Sequence, residues 1–224
     1  MLYIYSGNVP ELDDKLASQI TKNGKLLIIP ASPSDHSSAR HVASYYSYCG
    51  INAQTLPVKA YTNKELLKKR ILESAALYLC GGNTYEFLDF AQKMELFPTL
   101  SILEANGGII AAESAGSIIL SDDISTAAVP SSCPDENSIG IKHLDAMGRI
   151  PFHISPHFDP QDEFCDSDIA ELQALADSSN QAVLLLQDGE GFIMQDRKIT
   201  FFQGTEKYLL PTRQSITDKK PEPA

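Results

Sequence analysis

Tryptophan is absent from the 224 residues. No apolar run approaches the ~20 residues that a membrane-spanning helix requires, so a membrane partner is not expected. Cysteine is scarce, and Cys49, Cys80, Cys133 and Cys165 stand far apart with no CxxC pair. That spacing suits reduced, mostly structural thiols in a cytoplasmic protein. Positive charge is short as well: 18 Lys and Arg face 29 Asp and Glu, for a net charge of −11 and a pI near 4.8. Such a chain repels phosphate backbones, which argues against nucleic acid as a partner. The opening Met1-Leu2-Tyr3-Ile4-Tyr5 has no basic stretch before it and soon meets Glu11, Asp13 and Asp14. It is therefore not expected to be a signal peptide, and a cytoplasmic location follows as an expectation. What remains, 43% hydrophobic and 21% charged residues, is ordinary globular composition for a single domain.

Short apolar runs alternate with amphipathic stretches. Leu2-Tyr5, Leu26-Pro30, Ala53-Val58, Ala76-Leu79, Gly108-Ala112, Ala182-Leu186 and Ile199-Phe202 read as strands. Several are apolar on consecutive positions, as expected of strands covered on both faces. Between them, Leu12-Thr21, Asp35-Cys49, Lys64-Ser74, Tyr85-Lys93, Pro98-Ala105 and Phe164-Ala176 read as helices. Thr62 with Glu65 has the form of a capping box, and Gly24 and Gly50 follow helix C-termini. The alternation predicts an α/β domain, a doubly wound and mostly parallel sheet with helices on both faces, over residues 1–210. Phe192-Gln203 reads as a closing hairpin around Asp196-Arg197-Lys198. The tail 211–224, rich in Pro, Lys and Thr, has little to bury and is expected to be flexible.

The most informative stretch is Gly108-Ile109-Ile110-Ala111-Ala112-Glu113-Ser114-Ala115-Gly116-Ser117-Ile118. An apolar strand runs into a helix, and a serine sits at the junction with Ala112 and Gly116 two positions away. That is the steric demand of a nucleophile elbow, where a strained serine projects its hydroxyl while neighbouring chain passes close by. The usual G-x-S-x-G is altered at its first glycine. The amide of Ala115, at the helix N-terminus, would point at an oxyanion. The competing assignment makes Ser114 a simple helix cap. Cys80-Gly81-Gly82-Asn83-Thr84 follows another strand and precedes another helix, where two glycines can expose amides to a ligand. It lacks the lysine of a P-loop and the third glycine of a dinucleotide fingerprint. Pro151-Phe152-His153-Ile154-Ser155-Pro156-His157-Phe158 supplies a general base. His36, His41 and His143 are expected to be solvated.

G-G-N-T, S-A-G and P-H-F in this order resemble the peptidase E (α-aspartyl dipeptidase) family of serine peptidases, relatives of the cyanophycinases. The resemblance covers residues 1 to 210 and implies a class I glutamine amidotransferase-like fold. It makes Ser114 the nucleophile, His157 the base, and the amides of Gly82 and Ala115 the oxyanion hole. No cofactor or metal is implied. The glutaminases of that fold need a cysteine at the elbow, and none stands here.

The resemblance also implies an aspartate between serine and histidine. Counting forward by the family's spacing reaches Val129, whereas counting back from His157 reaches Asp135, which implies six inserted residues in the Ser125-Cys133 loop. Asp135 is the expected triad acid. Glu136, Asp122 and Asp123 are alternatives, as are Asp188 and Glu190 at the end of the Ala182-Leu186 strand. Asn83, Glu113 and Asp159 are expected to meet the substrate. A metal cluster of His153, His157 and Asp159 is disfavoured, because Pro156 interrupts the strand and no fourth ligand is evident.

Aspartyl dipeptidases of this family hold the substrate carboxylate with an arginine after the catalytic histidine. Here residues 150–196 contain no Lys or Arg but ten acids. Asp159 and Asp162 are the acids placed to reach the site, so a neutral or basic acyl-side residue is expected to outdo aspartate. The expected function is a serine exopeptidase or dipeptidase acting on short peptides as a monomer or homodimer. The alternatives are a catalytically silent binder of a small peptide or metabolite, and an esterase.

Overall fold

The computed structural model describes residues 1–20, 24–203 and 208–212. In chain order the first half comprises β1 (Leu2–Ser6), α1 (Pro10–Gln19), β2 (Lys25–Ile29), α2 (His36–Tyr48), β3 (Asn52–Thr55), α3 (Lys64–Leu72), β4 (Ala76–Leu79) and α4 (Thr84–Lys93). The second comprises α5 (Leu96–Ala105), β5 (Ile109–Glu113), α6 (Ala115–Ile118), β6 (His153–Ser155), α7 (Cys165–Ser179), β7 (Val183–Leu185), β8 (Glu190–Gln195), β9 (Lys198–Phe202) and β10 (Tyr208–Leu210). Seven strands form the main sheet in the order β3-β2-β4-β5-β1-β8-β9. The five on the β3 side run parallel, and β8 and β9 run antiparallel to their neighbours. This is the expected doubly wound α/β sheet.

Its central strands β1, β2, β4 and β5 are largely apolar because successive side chains enter different cores. Leu2, Ile4, Leu77, Leu79, Ile110 and Ala112 join the core beneath α3, α4 and α5. Tyr3, Tyr5, Ala76, Tyr78, Ile109 and Ala111 join the opposite core, closed by Leu12 and Leu16 of α1 and by Ala39 and Tyr46 of α2. Each fully buried leucine in these layers contributes roughly 1.5–3 kcal/mol. The hairpin stands as expected, with Gln195 opposite Lys198 and both Asp196 and Arg197 at positive φ, the conformation that matches strand twist in a two-residue turn.

Three features differ from the sequence expectations. The Ala182-Leu186 strand does not join the main sheet; as β7 it pairs with β6 and β10 in a second sheet of three strands. Three-residue strands such as β6 are too short for a periodic signal. The cap of α3 is Asn63, whose Oδ1 accepts the Leu66 N–H at 2.9 Å, while Thr62 ends the preceding turn. Asparagine at the N-cap outcompetes a box shifted by one residue. His36, expected in solvent, packs edge-on against Tyr61. Of the tail 211–224, only Pro211 and Thr212 lie among the described residues.

The core under α1 and α2 encloses a polar cluster. The Tyr46 hydroxyl donates to Asp13 Oδ1 at 2.5 Å, and Tyr5 is buried in the same cluster. Asp13 is 7% exposed, and burial raises its carboxyl to about 6 from 3.8. Tyr46 and Tyr5 oppose that shift, while Glu113 and Asp14 add to it. A carboxyl with a raised native pKa contributes stability that is complete below its unfolded value and is lost as pH rises through the native one. The stability advantage of wild type over Asp13→Asn is therefore expected to shrink by ~2–3 kcal/mol as pH rises from 3.8 to above about 6. Urea titrations across that range measure it, and a constant difference between the two proteins contradicts it.

Candidate active site

Ser114 follows β5 directly, at the carboxyl end of the sheet where open α/β folds place their ligands. Its backbone lies at φ 51° and ψ −120°, a conformation that costs a non-glycine residue ~1–3 kcal/mol. Several bonds hold it there. Its N–H donates to the Tyr5 carbonyl at 3.3 Å. Its own carbonyl accepts the amides of Ser117 and Ile118 and the Ser117 hydroxyl. The Ser114 hydroxyl makes no cap to α6, so the simple capping assignment fails. It lies 2.9 Å from His157 Nε2 instead. Ala112, in place of the first elbow glycine, is fully buried in β5 between Ile4 and Leu79, and the elbow forms around it.

The histidine and its acid come from the second sheet. In β6 and β7, Ser155 pairs with Leu185, so the residues just beyond them emerge side by side. Leu186 N–H donates to Ser155 O, and Phe158 N–H to Leu186 O, which extends the ladder past the strand ends. His157 takes φ 61°, and its Nδ1 lies 2.6 Å from Asp188 Oδ1. Both side chains are about half or more exposed, at 49% and 69%, so this contact serves orientation more than stability. Sequence reasoning missed Ser6. Its buried hydroxyl accepts the His157 N–H at 2.8 Å and donates to Leu186 O at 3.1 Å, while its carbonyl accepts Gly189 N–H. A serine closing an apolar strand that ends beside the elbow strand was the available signal.

Asp135 does not reach His157. Its Oδ2 accepts the Thr84 N–H at 2.8 Å, where a carboxylate suits the N-terminus of α4. The long segment between α6 and β6 carries Asp135 to that helix, and the β6–β7 pairing delivers Asp188 to the histidine. Among the other acids considered, Asp122 bonds Gln181, Asp123 accepts Ser125 N–H, and Glu190 is buried and accepts Gln187 N–H. Asn83, expected at the substrate, is a helix cap: its Oδ1 accepts Glu86 N–H, and its Nδ2 donates to Glu136 O. Glu113 turns to the opposite face of β5, where its carboxylate accepts the Tyr78 hydroxyl at 3.1 Å. Adjacent residues of a strand point to opposite faces, which takes Glu113 away from the site. His153 is fully buried, 3.8 Å from Asp123, and burial lowers its pKa against the pull of that carboxylate.

A cavity of about 300 Å³ opens at Ser114 and His157. Gly82, at φ 136°, lines it together with Thr84, Thr126, Asp135, Asp159, Asp162 and Asp168. Ala115 adjoins Ser114 as the first residue of α6, whose leading amides have no partner within the helix. Among the described residues, four carboxylates and no Lys or Arg line this space. Their field is felt at Cys165, whose thiol is pushed up first by burial and then by Asp166, Asp168, Asp159 and Asp162.

Two glycines set the close approaches. At Gly7, with φ +70°, a Cβ would stand 3.0 Å from Asp188 Oδ1. At Gly116 a Cβ would stand 2.3 Å from the Leu79 carbonyl oxygen, inside any tolerable contact with backbone. Gly116→Ala therefore has to push α6 off β4, and overpacking of this kind costs ~1–3 kcal/mol or more. Thermal melts are expected to show a markedly lower Tm, and an unchanged melting curve contradicts the packing described.

A search of curated protein sequences returns no match. The fold is similar to that of a protein from Listeria monocytogenes EGD-e provisionally described as a peptidase E. That likeness has a TM-score of 0.75 at 18% identity and covers 91% of this chain and 98% of the other. A peptidase from an acI-B1 Actinobacterium is similar at a TM-score of 0.64 and 16% identity, over 95% of this chain and 94% of that one. At such identities the likeness shows the fold. A family model, that of peptidase family S51, matches residues 3–202. Matched over nearly its whole length, the chain belongs to peptidase family S51, serine peptidases of the class I glutamine amidotransferase-like fold.

Proposed function

We propose that the protein hydrolyses short peptides through Ser114, His157 and Asp188. The observation that carries this reading is the unbroken hydrogen-bonded chain from Ser114 Oγ through both ring nitrogens of His157 to Asp188 Oδ1, with the serine at positive φ. Asp188 accepts from Nδ1–H, which leaves Nε2 as the acceptor for the serine proton. As Oγ bonds to the carbonyl carbon, Nε2 takes its proton and Asp188 stabilises the imidazolium. The amides of Gly82 and Ala115 meet the oxyanion. Collapse breaks the C–N bond, and His157 gives its proton to the departing amine. Water then attacks the acyl-serine, with His157 taking its proton and returning one to Ser114. The cavity, about 300 Å³, sits at the small end of ligand pockets and suits one or two residues of substrate. Ala112 leaves the elbow conformation in place, so the altered motif gives no motive for a silent binder.

Ser114→Ala is expected to abolish labelling by a fluorophosphonate probe and to lower dipeptide hydrolysis by about 10³-fold or more. Unchanged labelling of the variant, or no labelling of wild type, refutes the nucleophile. Asp188→Asn is expected to cut turnover by orders of magnitude through loss of tautomer control. Asp135→Asn keeps an acceptor for Thr84 N–H and is expected to cost far less. The opposite ranking in kcat overturns the choice of acid.

A further inference from the structure

The cavity carries negative charge and unsatisfied polar groups beyond what the proposed triad uses. Asp135, Asp159, Asp162 and Asp168 line it, and among the described residues His157 is the one lining side chain able to become cationic. Three of these carboxylates cap backbone, on Thr84, Gln161 and Phe164 N–H respectively. Asp168 differs. Its Oδ2 accepts the Ser132 hydroxyl at 2.9 Å, whereas its Oδ1 is out of contact with solvent and has no hydrogen-bond partner. Two further residues that line the cavity have groups in that position. Thr84 Oγ1 and Thr126 Oγ1 are buried without partners, in residues that are 0% and 6% exposed. A buried carboxylate oxygen and buried hydroxyls left unpaired are costly, and a cation that donates hydrogen bonds suits such acceptors.

Among the described residues, none that lines the cavity supplies a Lys or Arg. Residues 150–196 contain no Lys or Arg. Arg149, just before them, is engaged by both carboxylate oxygens of Glu104 at 2.8 and 2.9 Å. The wall is not wholly polar, since Leu172 of α7 and Val129 also line it. An apolar strip beside a carboxylate fits a long aliphatic stem that ends in a charge.

Resting on the hydrolytic reading above, we propose that this cavity selects substrates whose acyl-side residue bears a cationic side chain, lysine or arginine, and that Asp168 is the residue that reads the charge. The acyl-side residue carries the carbonyl that Ser114 attacks, so its side chain has to lie within this same small space. Its α-ammonium is cationic in every dipeptide, so selectivity shows only between side chains. Asp168 binds the side chain and takes no part in proton transfer. Ser132 anchors its other oxygen and so holds the carboxylate toward the cavity.

The p-nitroanilides of lysine, norleucine and aspartate test this at fixed ionic strength. Norleucine has the lysine stem without the charge. The kcat/KM ratio of lysine to norleucine is expected to be about tenfold or more in wild type, with aspartate the poorest, as a desolvated charge pair requires. Asp168→Asn keeps an acceptor for Ser132 and is expected to reduce that ratio to a third or less of the wild-type ratio. A smaller wild-type ratio, an unchanged ratio in Asp168→Asn, or a preference for aspartate overturns the proposal. Should wild type cleave none of the three, the hydrolytic reading fails, and binding to Ser114→Ala still decides the cavity's preference. Calorimetry is then expected to find lysinamide bound more tightly than norleucinamide, and equal affinities overturn the cationic pocket.

Discussion

The Ser6 hydroxyl joins the two sheets at the point on which the site depends. Ser114 follows a strand of the main sheet, whereas His157 and Asp188 follow strands of the small one, so the geometry of the proposed triad depends on how the sheets dock. Ser6 ends β1, next to the elbow strand, and its side chain bridges the His157 amide and the Leu186 carbonyl, one residue chain on each side. Its carbonyl then takes the amide of Gly189, just past Asp188. A buried hydroxyl with both roles satisfied is directional in a way that apolar contact is not. It fixes His157 at positive φ, and without that fix the two ring nitrogens would not align with both partners.

Strain and close packing meet at the elbow. Ser114 occupies a costly conformation because three donors converge on its carbonyl and its amide reaches back to β1. The short helix that follows has to run against the end of β4, and only a residue without a side chain passes Leu79 there. At the other end of the relay Gly7 leaves room for the Asp188 carboxylate in the same manner. The energetic cost is local and modest against the two large cores on either face of the sheet. Rigid strands on both sides let a few kcal/mol of strain persist.

Charge gives the cavity its character. The acids of residues 150–196 are sorted by the fold into different roles. Glu171 holds the Ser131 backbone and hydroxyl, Asp188 faces the histidine, and Asp168 keeps one oxygen unpaired beside the cavity. Sequence spacing alone could not make that division. In α7, Asp168 and Glu171 are three residues apart and share a face, but only contact with the loop at Ser131 and Ser132 distinguishes them.

Much of the main sheet was legible in the chain, because strands buried on both faces must be apolar at every position. The elbow was legible for a steric reason: a serine between a strand and a helix, with small residues two away, has few other uses. The acid was not. Counting along the chain led to Asp135, and Asp188 was a lesser alternative, because the choice rests on a parallel pairing between strands of three residues that leave no periodic trace. Asn83 and Glu113 misled for a similar reason, since their neighbours in sequence lie at the site while their side chains turn to a cap and to the far core. By itself the sequence determined the layered α/β architecture, the serine at the strand-helix elbow and the acidity of the segment around His157, which follow from burial pattern, local sterics and composition. Only the tertiary structure decided which carboxylate meets the histidine and which one keeps an unpaired oxygen, because those choices depend on register between segments distant in the chain.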